Sequence, residues 1–333
     1  MKRRLLLLLI LLAPSAVGQD RPKLVGEVEF FGYAGIDTVK LRAALPFQEQ
    51  DKFVEETFVS QLESAGAAVK KVTGRYPTDL ANVCCDERGD RVIFIGLDGK
   101  TIRYNPPPKG HIRLPDRLLS LYDRSLELND ENVRQGAAAE DDSRGYALSA
   151  YPPLRSVQLR MRAYSVGRGA YIREVLETAA DERQRIAAAT LLGYARRSRS
   201  QLAALVRASQ DGSDGVRNNA TRALIVLARS SPTIAGEIPA SNFIELLLSG
   251  KWTDLNKASN LLNFITRSRK RELLAQLHQR EVLERLVEIA RWRSHGEPAR
   301  YILGRVAGID EGRLEQLVAA EQVETIISAL RIH

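Results

Sequence analysis

Along the second half of the chain, apolar residues recur three and four positions apart, the spacing of one face of an α-helix. In "DERQRIAAATLLGYA" (Asp181 to Ala195), Ala188 is followed at that spacing by Leu191 and Leu192. "DGVRNNATRALIVLA" (Asp214 to Ala228) repeats the pattern with Ala220, Ala223 and Leu224. It returns in "DLNKASNLLNFIT" as Ala258, Leu261 and Leu262, and in "EPARYILGRVAG" as Ala299, Ile302 and Leu303, at successive spacings of 32, 38 and 41 residues. The small residue lets a neighbouring helix approach closely, and the large ones fill the contact. Each copy has a partner helix upstream: "AYIREVLETAA", "QLAALVRASQ", "SNFIELLLSG" and "EVLERLVEIARW". Asp181, Asp214 and Asp254 stand where an N-cap is expected. Helix pairs at this period predict an α-solenoid over residues 155–333. One pair cannot bury its own apolar face, and stacking builds the core. The final "RLEQLVAAEQVETIISALRIH" reads as a pair that caps the stack.

The pattern Asp214, Arg217, Ala220, Ala223, Leu224 resembles the HEAT-repeat family over roughly the second half of the chain. The third copy carries Lys257 in the Arg position and the fourth has no Asp. The resemblance implies a scaffold that binds proteins along an extended surface, with enzymes as the exception. Fold alone does not give function.

The front of the chain follows a different pattern. "KLVGEVEFFGYAGI" alternates as a strand does, "DTVKLRAAL" and "DKFVEETFVSQLESAGAAVKKV" read as helices, and "DLANVCCDERGDRVIFIGL" reads as a hairpin turned at Glu87-Arg88-Gly89-Asp90. The order β-α-α-β-β predicts a small α+β domain over residues 22–104. Through "VEFFGYAGID" and "LRAALPFQEQDKF" it resembles a POTRA module, the small domain that envelope-assembly proteins place outside the membrane. That family carries a Gly before the Asp of the turn, where this chain has Gln50. The whole is expected to be mainly α, a HEAT-like solenoid preceded by this domain. Residues 105–154 form a connector opened by the stiff "NPPPKG", with a helix from about Pro115 to Leu128.

Lys2, Arg3 and Arg4 precede the apolar run Leu5 to Leu12, and Ala16-Val17-Gly18 supplies a cleavage site. Residues 1–18 therefore read as a secretory signal peptide cut after Gly18. A run this short falls well below the roughly 20 residues of a membrane span. The expected location is secreted or periplasmic, with no transmembrane segment after cleavage. The exported part is electrically uneven. Residues 19–154 hold 18 Lys and Arg against 22 Asp and Glu, and residues 155–333 hold 28 against 19. An acidic front and a basic back suggest two modules with different partners. Export makes a nucleic-acid partner improbable. The two cysteines, Cys84 and Cys85, are adjacent, so two thiols, a vicinal bridge or an intermolecular link all remain open.

Little in the sequence points to catalysis. "GLDGKT" ends like a phosphate loop, but Phe94 replaces its first glycine and no helix follows. His111, His278, His295 and His333 are scattered without ligand spacing and read as surface or loop residues. Glu140-Asp141-Asp142 has ligands for a hard cation, although such runs are usually solvated loop. Asn219-Ala220-Thr221 is a glycosylation sequon on a packing face. No catalytic residue, cofactor or metal site is assigned.

The functional candidate is a row of cations. Nine residues after three of the anchor alanines stand Arg197, Arg229 and Arg267, thickened into "ARRSRS" (Ala195 to Ser200) and, with Arg269, Lys270 and Arg271, into "RSRKR" (Arg267 to Arg271). Equal offsets in a stack line one edge, a basic rim suited to an acidic protein face, an anionic lipid or an acidic polymer. The same arginines end helices, where a cation stabilises the dipole by about 0.3–1 kcal/mol without any ligand. The expected function is non-catalytic binding or scaffolding of a protein partner in a cell envelope. The alternatives are a solenoid-based enzyme or lyase-like chaperone, and an electrostatic binder of anionic lipid or polymer.

Overall fold

The computed structural model describes residues 23–134 and 139–330. The expected signal peptide and His333 lie outside the described residues. The front module runs β1 (Val25–Phe31), α1 (Thr38–Ala44), α2 (Glu55–Thr73), β2 (Asp79–Cys84) and β3 (Arg91–Gly96), in the order read from the sequence. Its sheet is ordered β1-β3-β2, with β3 parallel to β1 and antiparallel to β2. Cys84 and Cys85 are bonded to each other, across a cis peptide bond.

The central strand explains how the module sits. Ile93 and Ile95 pack with Val28, Phe30, Leu41, Phe58 and Val69 under the two helices. Val92 and Phe94 face the other way and join the core of the helical region with Phe31. Both faces of β3 are covered, which is why "VIFI" shows no polar alternation. Gly32 ends β1 at φ 68°, and its Cα lies so close to the Asp98 backbone that an added Cβ would stand 2.0 Å from the Asp98 oxygen.

The helical part continues with α3 (Asp116–Arg134), the two-residue strands β4 (Glu140–Asp141) and β5 (Leu148–Ser149), and α4 (Pro152–Ser165). The helix pairs then follow: α5 (Gly169–Thr178) with α6 (Glu182–Gly193), and α7 (Arg199–Ala208) with α8 (Asp214–Ser230). After a short α9 (Pro232–Glu237) come α10 (Ser241–Leu247) and α11 (Trp252–Ile265). After a 3₁₀ turn and α12 (Arg271–Leu277) come α13 (Arg280–Ala290) and α14 (Glu297–Val306), closed by α15 (Glu311–Ala319) and α16 (Val323–Ser328). The second helices α6, α8, α11 and α14 pack side by side in one row, each against its own first helix. The four anchor alanines are fully buried in that row. The inserted α9 and α12 account for the stretching of the repeat from 32 to 38 and 41 residues.

Two of the expected N-caps are reassigned. Asp181 caps α6 by accepting from the Gln184 N–H. At α8 the cap is Ser213, and Asp214 lies one residue inside, paired with Arg217. Asp254 lies inside α11, fully buried, and accepts from Arg217 of the preceding pair at 2.9 Å. Arg185 likewise holds Asp211 through two bonds of 3.0 Å. Each arginine also donates to loop carbonyls of its own pair, Arg185 to Ala179 and Ala180, Arg217 to Asp211 and Gly212. The result is a ladder of buried charge-assisted bonds from one repeat to the next.

The segment before α3 is laid along this ladder. The backbone N–H groups of Lys100, Asn105 and Gly110 donate to Leu248, Gln210 and Thr178 at 2.7, 2.7 and 2.8 Å. Every fifth residue of an extended strap is thus pinned to the loop that joins the two helices of one pair. The prolines of "NPPPKG" supply no donors and hold it extended between pins. The strap runs against the order of the repeats, from the third pair to the first. No described helix is long and apolar enough to cross a membrane.

Candidate functional site

The stack has two edges of opposite character. On the edge formed by the loops inside each pair, most cations are matched, Arg185 with Asp211, Arg207 with Glu177, Arg113 with Asp181, Lys251 with Asp79, and Arg293 with Glu29 and Glu49, whereas Arg103 and Lys109 of the strap are exposed and form no ion pair among the described residues. This edge carries the strap and the front sheet. The other edge, formed by the loops between pairs, lies a helix length away, about 25 Å for the 17 residues of α8.

On that second edge three hollows adjoin. The first is lined by Arg173, Arg196 and Arg197. The second shares Arg197 and adds Arg199, Leu202, Ile234 and Glu237. The third lies between Gly236–Ser241 and Ser268–Gln276 and includes Lys270. Arg173, Arg196, Arg199, Lys270 and Arg271 form no ion pair among the described residues; Glu237 and Glu272 are the acids close to them in these hollows. Unmatched cations beside apolar floors such as Leu202, Ile238 and Leu273 make a surface that accepts negative charge.

The six cations singled out from the sequence divide. Lys270 and Arg271 belong to the unmatched set, and Arg267 stacks on Phe264 at 4.8 Å. Arg197 donates to Ser230 Oγ at 2.9 Å and lies beyond the end of α6, so it does not stabilise that helix dipole. Arg229, in the last turn of α8, is paired with Asp142 at 2.9 Å, and Arg269 is paired with Glu311 at 2.8 Å. The acidic run therefore has another use: Glu140 holds Arg222 and Asp142 holds Arg229, fastening the connector over α8. No group of three metal-ligating side chains occurs among the described residues. Arg173 went unrecognised because it sits on a first helix, outside the nine-residue offset.

A second feature lies on the face of the second-helix row. Here α3, the β4–β5 turn and α4 cover α6 and α8 and enclose a cavity of about 260 Å³. Its lining mixes Leu126, Leu154, Met161 and Val226 with Gln158, Asn218, Asn219, Tyr122 and Tyr194. Burial pushes the Tyr122 phenol up, and its oxygen accepts from Asn219 Nδ2 at 3.4 Å. The sequon residue Asn219 is engaged, donating to Thr190 Oγ1 at 2.9 Å.

On α11, the next second helix of the row, stands Lys257. It does not take the ladder position of Arg217; Leu255 occupies the matching place, three residues before the anchor Ala258, and Arg285 of the next pair reaches the Ser249 carbonyl instead. Lys257 is half-buried and closely surrounded. Burial lowers its ammonium to about 8, helped by Arg222 and opposed by Glu140. His295, expected as a surface or loop residue, is a loop residue packed edge-on against Phe94 and Trp252, with centroids 5.7 and 5.8 Å away. Burial, and then Lys257, hold its imidazole below the usual range.

Lys257 makes a pH prediction. The folded chain binds its proton less tightly than the unfolded one, so stability rises with pH from about 8 to about 10.4, and the full penalty stands below that window. Lys257→Met is expected to stabilise the fold by about 2 kcal/mol at pH 7, discounted for partial exposure, and to lose most of that gain by pH 10. Urea unfolding at both pH values measures this. An equal gain at both would refute the assignment.

No family model matches the chain, and no curated protein matches it.

Proposed function

We propose that the chain is an exported, non-catalytic binding protein that offers the unmatched cations of its inter-pair edge to an acidic face of a protein partner in the cell envelope. The observation that carries this reading is the contrast between the two edges. Where the chain folds back on itself, every arginine of the ladder has its carboxylate. On the inter-pair edge, Arg173, Arg196, Arg199, Lys270 and Arg271 do not. Leaving like charges clustered is unfavourable unless a partner neutralises them. The basic amino-terminal run and apolar core of the signal-like segment support export.

Two likenesses support the kind of protein. The helix pairs with buried small-then-large anchors and the arginine ladder fit a HEAT-type scaffold. The β-α-α-β-β module fits the POTRA likeness, and its one departure is accommodated: Gln50 adopts φ 74°, the left-handed conformation that a glycine favours. A second reading rests on β2. Its backbone makes no backbone hydrogen bond beyond β3 among the described residues, leaving an edge on which an extended segment could add a strand.

The test is affinity capture from envelope extract with light cross-linking, followed by titration of the captured protein. The variant carries Arg196→Glu, Arg199→Glu, Lys270→Glu and Arg271→Glu. Loss of affinity by about a hundredfold, with a salt dependence that vanishes in the variant, is the expected result. Unchanged affinity would overturn the edge as a site. Binding to anionic vesicles with no protein captured would replace the partner by a lipid surface.

A further inference from the structure

The cavity under α3 has a wall whose polar groups are matched to one another. Arg222 is paired with Glu140, and the Asn218 amide donates to Asn219 Oδ1 at 2.9 Å. Gln158 Oε1 accepts from the Ser149 N–H at 2.7 Å, and the Tyr194 hydroxyl donates to the Ala147 carbonyl at 2.9 Å. No buried polar side-chain atom of this wall lacks a partner among the described residues. An ion entering here would lose its water and find no unpaired charge in exchange. The apolar part of the wall is different. Leu154, Met161 and Val226 line the cavity as buried side chains, and Leu126 lines it while 48 % exposed. A large apolar side chain is thus held half in water where the cavity opens, and covering it is favourable. Tyr146 adds an aromatic ring, backed by the Arg162 guanidinium at 4.4 Å. Its hydroxyl forms no hydrogen bond among the described residues.

We infer that this cavity binds a neutral aromatic molecule, about two fused rings in size, that carries one hydrogen-bonding group. The rings lie against Leu126, Leu154, Met161 and Val226, and the polar group meets the Tyr146 hydroxyl, which both donates and accepts. A dry cavity of about 150 Å³ takes benzene. One of about 260 Å³ has room for a second ring. Flat rings pack well on tyrosine faces, and a rigid ligand loses less freedom on binding than a flexible chain of equal area. The matched ion pair at Arg222 gives a charged ligand no advantage. The site lies on the second-helix face and does not depend on the basic edge.

The experiment is calorimetric titration of the full chain with indole, naphthalene, phenol and indole carboxylate, with saturation-transfer NMR for the weak binders. Indole and naphthalene are expected to bind, and phenol and the carboxylate about tenfold more weakly than indole. Tyr146→Phe is expected to weaken indole about threefold and to leave naphthalene unchanged. Val226→Phe fills the cavity and is expected to weaken both by more than about tenfold. Leu126→Ala, at an exposed position, is expected to weaken both about threefold without lowering the unfolding midpoint, so the test stands even where Val226→Phe misfolds. The quadruple edge variant is expected to bind indole as the parent does. No binding of indole at millimolar concentration, preference for the carboxylate, or binding untouched by Val226→Phe, Leu126→Ala and Tyr146→Phe alike would each overturn the inference.

Discussion

Arg217→Ala is expected to destabilise the chain by about 3–5 kcal/mol, the loss that follows when one partner of a buried ion pair is removed. Arg217 is among the largest fully buried side chains. Its guanidinium bonds Asp254 on the next pair at 2.9 Å and the Asp211 carbonyl at 2.8 Å, and it lies 3.8 Å from the centre of the Tyr104 ring. The Tyr104 hydroxyl in turn donates to Asp254 at 2.5 Å, and burial with that bond pushes the phenol up to about 12. One side chain thus ties two repeats and the strap together. Truncation leaves Asp254 charged and only partly satisfied in a dry site. Arg217→Met with Asp254→Asn removes both charges and is expected to recover most of the loss, because the penalty comes from the orphaned partner rather than from the absent bond. Chemical denaturation of Arg217→Met, Asp254→Asn and the double variant gives the coupling directly. Additive losses would show that the pair is not the source.

The same cluster shows what periodicity can and cannot reveal. The anchors Ala188, Ala220, Ala258 and Ala299 were legible because a helix face imposes its spacing on the residues that fill it. The ladder was legible at Arg217 and misassigned at Lys257. Counting from Asp254 ignores that this aspartate lies deeper in its helix than Asp214 does. The strap was not legible at all. An extended segment bonded through its backbone leaves no mark on side-chain type beyond the prolines, and "NPPPKG" reads equally well as a free linker. The basic row was visible, but the matches of Arg229 and Arg269 were not. Asp142 lies 87 residues from Arg229 along the chain, and only the path of the connector brings them together. The cavity depends on α3 folding over α6 and α8, which no local pattern encodes.

Trp292→Ala is expected to cost about 3–5 kcal/mol and to separate the front module from the stack in unfolding. Trp292 lies in the loop between α13 and α14 and is 1 % exposed. Its ring packs edge-on against Phe94 of β3 and Phe31 of β1, with centroids 4.8 and 6.2 Å away, and its Nε1 donates to the Phe30 carbonyl at 3.1 Å. Around it, Glu288 accepts from the Gly32 and Tyr33 N–H groups, and Glu27 accepts from Ser294. These bonds are oriented by the packed ring, so its loss weakens them together. The parent is expected to unfold in one transition because the sheet shares its core with the helices. In Trp292→Ala the β3 amides are expected to exchange with solvent well before those of α8, and thermal unfolding is expected to split in two. Trp292→Phe, which keeps the edge contacts and loses the Phe30 bond, should fall between. The chain has two tryptophans, and Trp252 packs on Phe94 from the α11 side at 5.1 Å. Its fluorescence therefore reports on the same interface once Trp292 is gone. A single transition in the alanine variant, with exchange of β3 and α8 still in step, would mean that the strap rather than this aromatic contact couples the two halves.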